Sequence, residues 1–372
     1  MEQRLNNSEE ICPKTAGGEQ QSRKLPPMAV SLDNLEKGCV KDMLCNLNEM
    51  TSQIRNAWRL GADSQIKSPQ LVGGVEKMVI AGMGGSGIGG CLVQKFAQTE
   101  CAVPVIAVNG YDLPKHLNER TLVVLVSHSG NTEEIIACHQ AAKQQGATCV
   151  AITSGGRLAE LAQSDGDTLI TIPAHLMPRE AIAYLTIPIF LIADGFGIWQ
   201  MSSRRLLDIL EAVNDVIFCC NEFVLEKENQ AKQLARKICG KAPVILGVEG
   251  MMESVARCWK NLLNENAKLP ALVNTVPEFC HNEIEVISEK NIIIILRTMT
   301  EDVRLKKQIA ALEQLTAEHH IQTETVWLMG KSLLAKAYGM IAFGDYVSLY
   351  LAQLGQKDCS RIPAVDSLKK LV

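Results

Sequence analysis

An excess of charge of one sign, cysteine pairs at metal-ligand spacing and an uninterrupted apolar run are all missing from this sequence of 372 residues. Lysine and arginine number 37 against 41 aspartates and glutamates, a net charge of −4. That balance exerts no long-range pull on nucleic acid or on an anionic membrane, so neither is an expected partner, and an anionic ligand would need a local positive site. The thirteen cysteines are odd in number and contain no CxxC pair, which argues against a disulfide framework and against a thiolate zinc site. Adjacent Cys219 and Cys220 have neither ligand spacing nor an easy disulfide geometry. Free thiols in a reducing cytoplasm are the expectation. The most apolar stretch, residues 181–198, contains Pro188, Asp194 and Gly195, which suits a buried helix and its exit better than a membrane span. Residues 1–27 are polar and lack an apolar run, so no signal peptide is expected, and residues 1–30 read as a flexible tail.

Aromatic residues are also few, at 4%, but apolar residues make up 47% and charged residues 21%. This is globular composition with material for a sizeable core, and it excludes a largely disordered chain. At about 150 residues per domain the length allows two to three domains. From Leu32 to Leu60 apolar residues recur at helical spacing, predicting one or two packing helices. Short apolar runs at 77–80, 103–108, 121–126 and 148–153 then alternate with helix-like stretches. A second round, at 243–247, 291–297 and 323–327, follows amphipathic helices around 204–237. Strands alternating with helices predict an α/β fold built on parallel sheets with helices on both faces.

Two loops carry the clearest chemistry. Residues 82–90, Gly-Met-Gly-Gly-Ser-Gly-Ile-Gly-Gly, hold six glycines in nine positions directly after a strand. Glycines let the backbone approach a ligand, and the helix that follows offers unpaired N–H groups to an anion. The loop matches the GxGxxG dinucleotide fingerprint literally, but that fingerprint also wants an acid at the end of the second strand. Here the second strand ends at Asn109-Gly110, with no acid before Asp112, so a dinucleotide site is disfavoured without being excluded. The second loop is Ser127-His128-Ser129-Gly130-Asn131-Thr132-Glu133-Glu134, in which Ser129 or Thr132 is expected to cap the helix. Ser127, Ser129 and Thr132, with Gly85 and Ser86, would cradle a phosphate through hydroxyls and helix N-termini. Either loop alone reads equally well as a turn or an N-cap; two at neighbouring strand ends favour phosphate. His128, as a lone loop histidine, is assigned no role.

Farther along, Met251, Val255, Cys258, Trp259, Leu262 and Leu263 form an apolar helical stripe that Glu265 continues. A carboxylate on such a face is costly unless satisfied, and desolvation favours the protonated form a general base must produce. On its own, a helix-end glutamate reached by water is the commoner explanation. The same holds for Arg179 as a solvated first-turn arginine, for His281 as a satisfied structural histidine, and for Lys369 as a surface lysine.

Together, Gly84-Gly85-Ser86-Gly87 and the 127–133 loop resemble the sugar isomerase (SIS) domain. The order Pro178-Arg179, Asn264-Glu265-Asn266-Ala267-Lys268, Pro277-Glu278 and His281-Asn282-Glu283 resembles the bifunctional phosphoglucose/phosphomannose isomerases, from about Glu76 onward. The resemblance implies two SIS-type domains, each a parallel sheet flanked by helices, at 31–202 and 203–372. It implies that Gly85, Ser86, Ser127, Ser129 and Thr132 hold a sugar phosphate and that Glu265 moves a proton between C1 and C2. It further implies that Arg179 stabilises the enediolate, and that His281, reached from the other subunit of a homodimer, opens the ring with Lys369 assisting. No cofactor and no metal is implied, unlike the zinc-dependent mannose-phosphate isomerases of another fold. Where the family has a threonine before a proline, linked to acceptance of both C2 epimers, this sequence has Ile362-Pro363, with Ser360 close by. Glucose 6-phosphate is therefore the expected aldose, with mannose 6-phosphate left open. A non-catalytic sugar-phosphate sensor is the alternative.

Overall fold

The computed structural model describes residues 26, 29–35, 38–64, 74–248, 250–299, 301–327, 330–369 and 371. The tail expected at residues 1–30 falls almost wholly outside them. Two helices, α1 (Cys39–Asn48) and α2 (Met50–Asp63), lead into an alternation of strands and helices. The first half comprises β1 (Lys77–Gly82), α3 (Gly84–Glu100), β2 (Val105–Val108), β3 (Thr121–Val126), α4 (Glu133–Gln144), β4 (Thr148–Thr153), α5 (Gly156–Ser164), β5 (Thr168–Thr171) and α6 (Ile182–Gly195). The second comprises α7 (Ser203–Cys220), α8 (Gln230–Ile238), β6 (Ala242–Val248), α9 (Met251–Glu265), β7 (Leu272–Val276), β8 (Asn291–Arg297), α10 (Val303–Glu318), β9 (Gln322–Trp327), α11 (Leu333–Leu354) and α12 (Pro363–Lys369).

The strands form two parallel sheets, ordered β2-β1-β3-β4-β5 and β7-β6-β8-β9. The sequence expectation of two α/β units with parallel sheets is met. Side-chain alternation explains the continuous apolar runs: Met78 and Ile80 of β1 enter one core while Val79 and Ala81 enter another. Likewise Ile292, Ile294 and Leu296 of β8 face one core and Ile293 and Ile295 the other. A strand buried on both faces has no place for polar residues. The inner faces of both sheets drain into one shared core through α3, α6, α9 and α11, with Trp259 of α9 donating its Nε1–H to the Met340 carbonyl of α11 at 2.8 Å. Separate cores lie on the two outer faces.

The sequence reading misses β5 and β7. β5 has four residues, and β7 is an edge strand with Asn274 at its centre and Leu272 exposed. Neither carries the unbroken apolar run that two-sided burial writes. The strand expected at 103–108 begins only at Val105. The apolar stretch at 181–198 is the buried α6, and among the described residues no helix is long and apolar enough to cross a membrane. The twelve described cysteines are free thiols.

Candidate active site

In each sheet the order reverses beside the first strand, between β1 and β3 and between β6 and β8. Loops leaving the carboxyl ends of such strands diverge and open a crevice for ligands. At the first crevice the glycine loop and the serine loop meet: the His128 backbone N–H donates to Ser86 Oγ at 3.3 Å. Ser127 and Thr132 hydroxyls hydrogen-bond each other at 2.8 Å, and Ser127 Oγ also accepts from the Gly130 N–H at 3.1 Å. Ser129 Oγ, on an exposed residue, accepts from the Asn131 N–H. Gly130 has φ +69°, and a Cβ there would collide with the Gly155 carbonyl, so the loop folds this tightly only with glycine.

The expected cap is not made. Thr132 occupies the N-cap position of α4, yet its hydroxyl is engaged with Ser127 and no side chain caps the helix. The hydroxyls close the loop on itself instead. α3 starts without a side-chain cap as well. Two helices of 17 and 12 residues therefore open beside the same hydroxyls without a side chain on their first-turn N–H groups, which suits an anion.

The arginine expected in this neighbourhood is inside it. Pro178 and Arg179 lie against Gly85, where a Cβ would stand 3.2 Å from the Pro178 carbonyl oxygen. Buried Arg179 donates Nε–H to Asn266 Oδ1 at 2.8 Å and Nη1–H to Glu265 Oε2 at 3.4 Å. Its Nη2 donates to the carbonyls of Cys359, at 2.5 Å, and Ser360, at 3.3 Å. Glu265 ends α9 with its side chain 30% exposed, so water or a small substrate reaches the carboxylate while the guanidinium behind it is sealed. Asn266 is held in turn by donating to Ser348 Oγ at 2.9 Å. Behind Arg179, burial and Glu180 push the Asp345 carboxyl well above its ordinary range, with Arg179 opposing.

Of the nine residues singled out in the sequence, seven gather here: Gly85, Ser86, Ser127, Ser129, Thr132, Arg179 and Glu265. Two do not join them through any hydrogen bond. His281 is exposed at the end of the short turn Glu278–His281 after β7. Lys369 is exposed at the end of α12. Sequence reasoning quotes Asn266 and Lys268 within a motif but assigns them no role, and it misses the carbonyls at 359–361, because backbone groups leave no residue signature. It also gave His128 no role, though its backbone joins the two loops; burial holds its imidazole below the ordinary range.

Among the described residues, one grouping has the donor set of a metal site: His139, Cys149 and Asp167. The Lys143 ammonium sits 2.7 Å from Asp167 and already supplies a cation, while burial pushes the Cys149 thiol up to about 12. The grouping belongs to α4 and the β4–β5 edge, outside the serine loops. A groove of about 570 Å³ runs between the edge strands β2 and β7, lined by Lys95, Asn109, Arg257, Lys260 and Glu278 among others. None of the nine residues lines it.

Comparison with known proteins matches this arrangement. Residues 75–176 match the SIS domain, and residues 227–372 match the bacterial phospho-glucose isomerase C-terminal SIS domain. A bifunctional phosphoglucose/phosphomannose isomerase from Caldicellulosiruptor bescii is 35% identical over 333 residues, covering 88% of this chain and 98% of that protein. The chain belongs to the bifunctional phosphoglucose/phosphomannose isomerase family. Another isomerase of this family, from Thermoplasma acidophilum, is also 35% identical, over 81% of this chain and 91% of its own. Among solved structures, the C-terminal domain of glucosamine-fructose-6-phosphate aminotransferase from Francisella tularensis superimposes with a TM-score of 0.69 at 14% identity, covering 88% of this chain and 99% of that one. That likeness concerns the fold. The isomerase family and the two-sheet SIS architecture agree with what the sequence motifs imply.

Proposed function

We propose that the protein is an aldose–ketose isomerase that interconverts glucose 6-phosphate and fructose 6-phosphate, with mannose 6-phosphate as a second aldose to be tested. Gly85, Ser86, Ser127, Ser129 and Thr132, with the N-termini of α3 and α4, bind the phosphate. Glu265 takes the proton from C2 of the open-chain aldose and returns it to C1, while the hydroxyl and carbonyl oxygens exchange one proton. Negative charge develops on those oxygens in the enediolate, and Arg179 stabilises it. The reading needs no metal or cofactor, because Arg179 supplies the positive charge. His281 of the partner subunit opens the sugar ring, Lys369 assists, and the enzyme acts as a cytoplasmic homodimer of chains divided at 31–202 and 203–372. The exposure of His281 on its own subunit is consistent with a role across an interface.

One observation carries this reading. A buried guanidinium touches an accessible carboxylate at 3.4 Å, and the backbone that carries it, Pro178-Arg179, lies against Gly85 of the glycine loop. Base, oxyanion stabiliser and phosphate site are thus contiguous although they come from two sheets. The relatives above are named as enzymes, which gives the sensor alternative no comparable support. Purified Glu265→Gln should lose about 10²–10⁴-fold in kcat while keeping its KM for the sugar phosphate. Normal turnover by that variant would overturn the mechanism. Comparing glucose 6-phosphate with mannose 6-phosphate as substrates tests the specificity: activity with the first alone would implicate Ile362, and activity with neither would overturn the substrate assignment.

A further inference from the structure

Three successive carbonyls of the C-terminal segment are turned toward two cations. Arg179 Nη2 takes those of Cys359 and Ser360, and Lys268 Nζ takes that of Arg361 at 2.5 Å. Lys268 also donates to the Glu265 carbonyl at the end of α9. The lysine sits in the left-handed region, φ +54°, which a non-glycine residue adopts only when its surroundings impose it. They do so on both sides: the Leu269 N–H donates to the Leu263 carbonyl at 3.0 Å, and Asn264 Nδ2 donates to the Leu269 carbonyl at 2.8 Å. The strained turn, though Lys268 itself is exposed, brings its ammonium onto the carbonyls of Glu265 and Arg361.

We propose that Lys268 is a positioning residue that latches segment 358–362 onto the end of α9, fixing the carbonyls against which Arg179 is oriented beside Glu265. The proposal rests on the isomerase reading for its kinetic consequence and on the hydrogen bonds alone for its structural one. The latch closes on the stretch that leads directly into α12: Ile362 accepts the Asp366 N–H at the start of that helix, and Lys369 ends it. Segment and helix are exposed apart from Cys359 and Ile362, so little apolar burial holds them. Charged hydrogen bonds have correspondingly more of the work of fixing them. The phosphate loops belong to the other sheet and do not depend on the latch.

The charge on Lys268 is itself set locally. Burial and Arg179 favour the neutral amine, and Asp358, Cys359 and Glu265 oppose them, leaving the lysine below its ordinary 10.5. Raising the pH therefore discharges the latch at a lower pH than a free lysine would require.

The test uses the full chain with Lys268→Met and Lys268→Arg. In Lys268→Met, amide exchange across 358–369 should speed by about tenfold. Its kcat should fall about 10- to 100-fold with KM for glucose 6-phosphate moving less than about threefold, because the phosphate site is untouched and only the reacting groups are misplaced. Lys268→Arg should restore kcat and extend activity farther into the alkaline range than the unaltered enzyme, since guanidinium stays charged there. Unchanged exchange in Lys268→Met, a raised KM at constant kcat, or an alkaline limb identical in Lys268→Arg would each overturn the proposal. The exchange arm reads the latch whatever the substrate, whereas normal turnover by Glu265→Gln sinks the isomerase reading and leaves the latch standing.

Discussion

At the first strand-order reversal, the loops after β1 and β3 end on hydroxyls and on helices that no side chain caps; at the second, the loop after β8 ends on a carboxylate of its own. The two places are equivalent by register. Gly82 pairs with Val126 in one sheet, and Gly247 with Leu296 in the other. In the first, position 127 is a serine beside a second loop of serine and threonine. In the second, the corresponding Arg297 is paired by Glu301 at 2.8 Å, and Glu301 also accepts the Thr298 N–H at 2.9 Å. Asp302 then caps α10 through the Arg304 N–H. One fold has thus been finished in two ways. Where the first-turn N–H groups carry no side chain, the crevice is the one proposed above to take phosphate; where Glu301 and Asp302 accept backbone N–H groups, it is closed by the protein itself.

The largest expected effect of breaking that division lies in the second sheet. The Glu301 side chain is 2% exposed and that of Arg297 10%, so Glu301→Gln removes the nearer and more buried of the two carboxylates on this guanidinium, leaving Glu313 at 3.8 Å. Removing one partner of a buried pair costs about 3–5 kcal/mol of stability, to be read as a shift in the urea midpoint, with KM for the sugar phosphate unchanged. A KM shift comparable to that of a serine-loop variant would mean that the second crevice also takes phosphate. The next effect comes from copying the second sheet's device into the first. Ser127→Asp keeps an oxygen for the Gly130 N–H but sets a negative charge at the proposed phosphate site. Juxtaposed like charges cost several kcal/mol, so KM should rise about 100-fold or more with the fold intact. A KM within twofold of the unaltered protein would remove Ser127 from the phosphate site.

The contrast between the crevices also marks what the sequence could convey. Buried central strands announce themselves, because β3 and β8 are apolar on both faces; edge strands such as β7, half solvated, do not. The phosphate loops are legible because glycine and hydroxyl residues are concentrated in consecutive positions. Arg179 and Glu265 lie 86 positions apart, and no periodicity joins them: only the resemblance to a family brought them together in advance of the fold. Lys268 and Asn266, named in the 264–268 motif but given no role, and the carbonyls at 359–361, not noticed at all, fall short for another reason. Their contribution is made by backbone geometry and by a hydrogen-bond chain running through Ser348, and a sequence records neither. His281 and Lys369 are the opposite case, motif residues that the single chain leaves outside the hydrogen-bonded cluster.

The smallest effect separates a tie within the loop from a contact to the ligand. The Thr132 hydroxyl spends one interaction on Ser127, 2.8 Å away, and caps nothing. A hydroxyl has one proton and two lone pairs, so bonding Ser127 leaves capacity for a phosphate oxygen. Thr132→Val keeps the β-branched shape and deletes only that group. If the hydroxyl reaches the phosphate, KM should rise about three- to tenfold, the equivalent of a net hydrogen bond of about 1 kcal/mol. If it only closes the loop, a similar free energy should vanish from the thermal stability while KM stays put. Measuring melting temperature with and without glucose 6-phosphate distinguishes the two. A smaller ligand-induced increment marks a phosphate contact, since a ligand stabilises only through its affinity for the folded state. An equal drop with and without ligand marks a structural tie, and would bring this corner of the first crevice closer in kind to the glutamate-sealed second one.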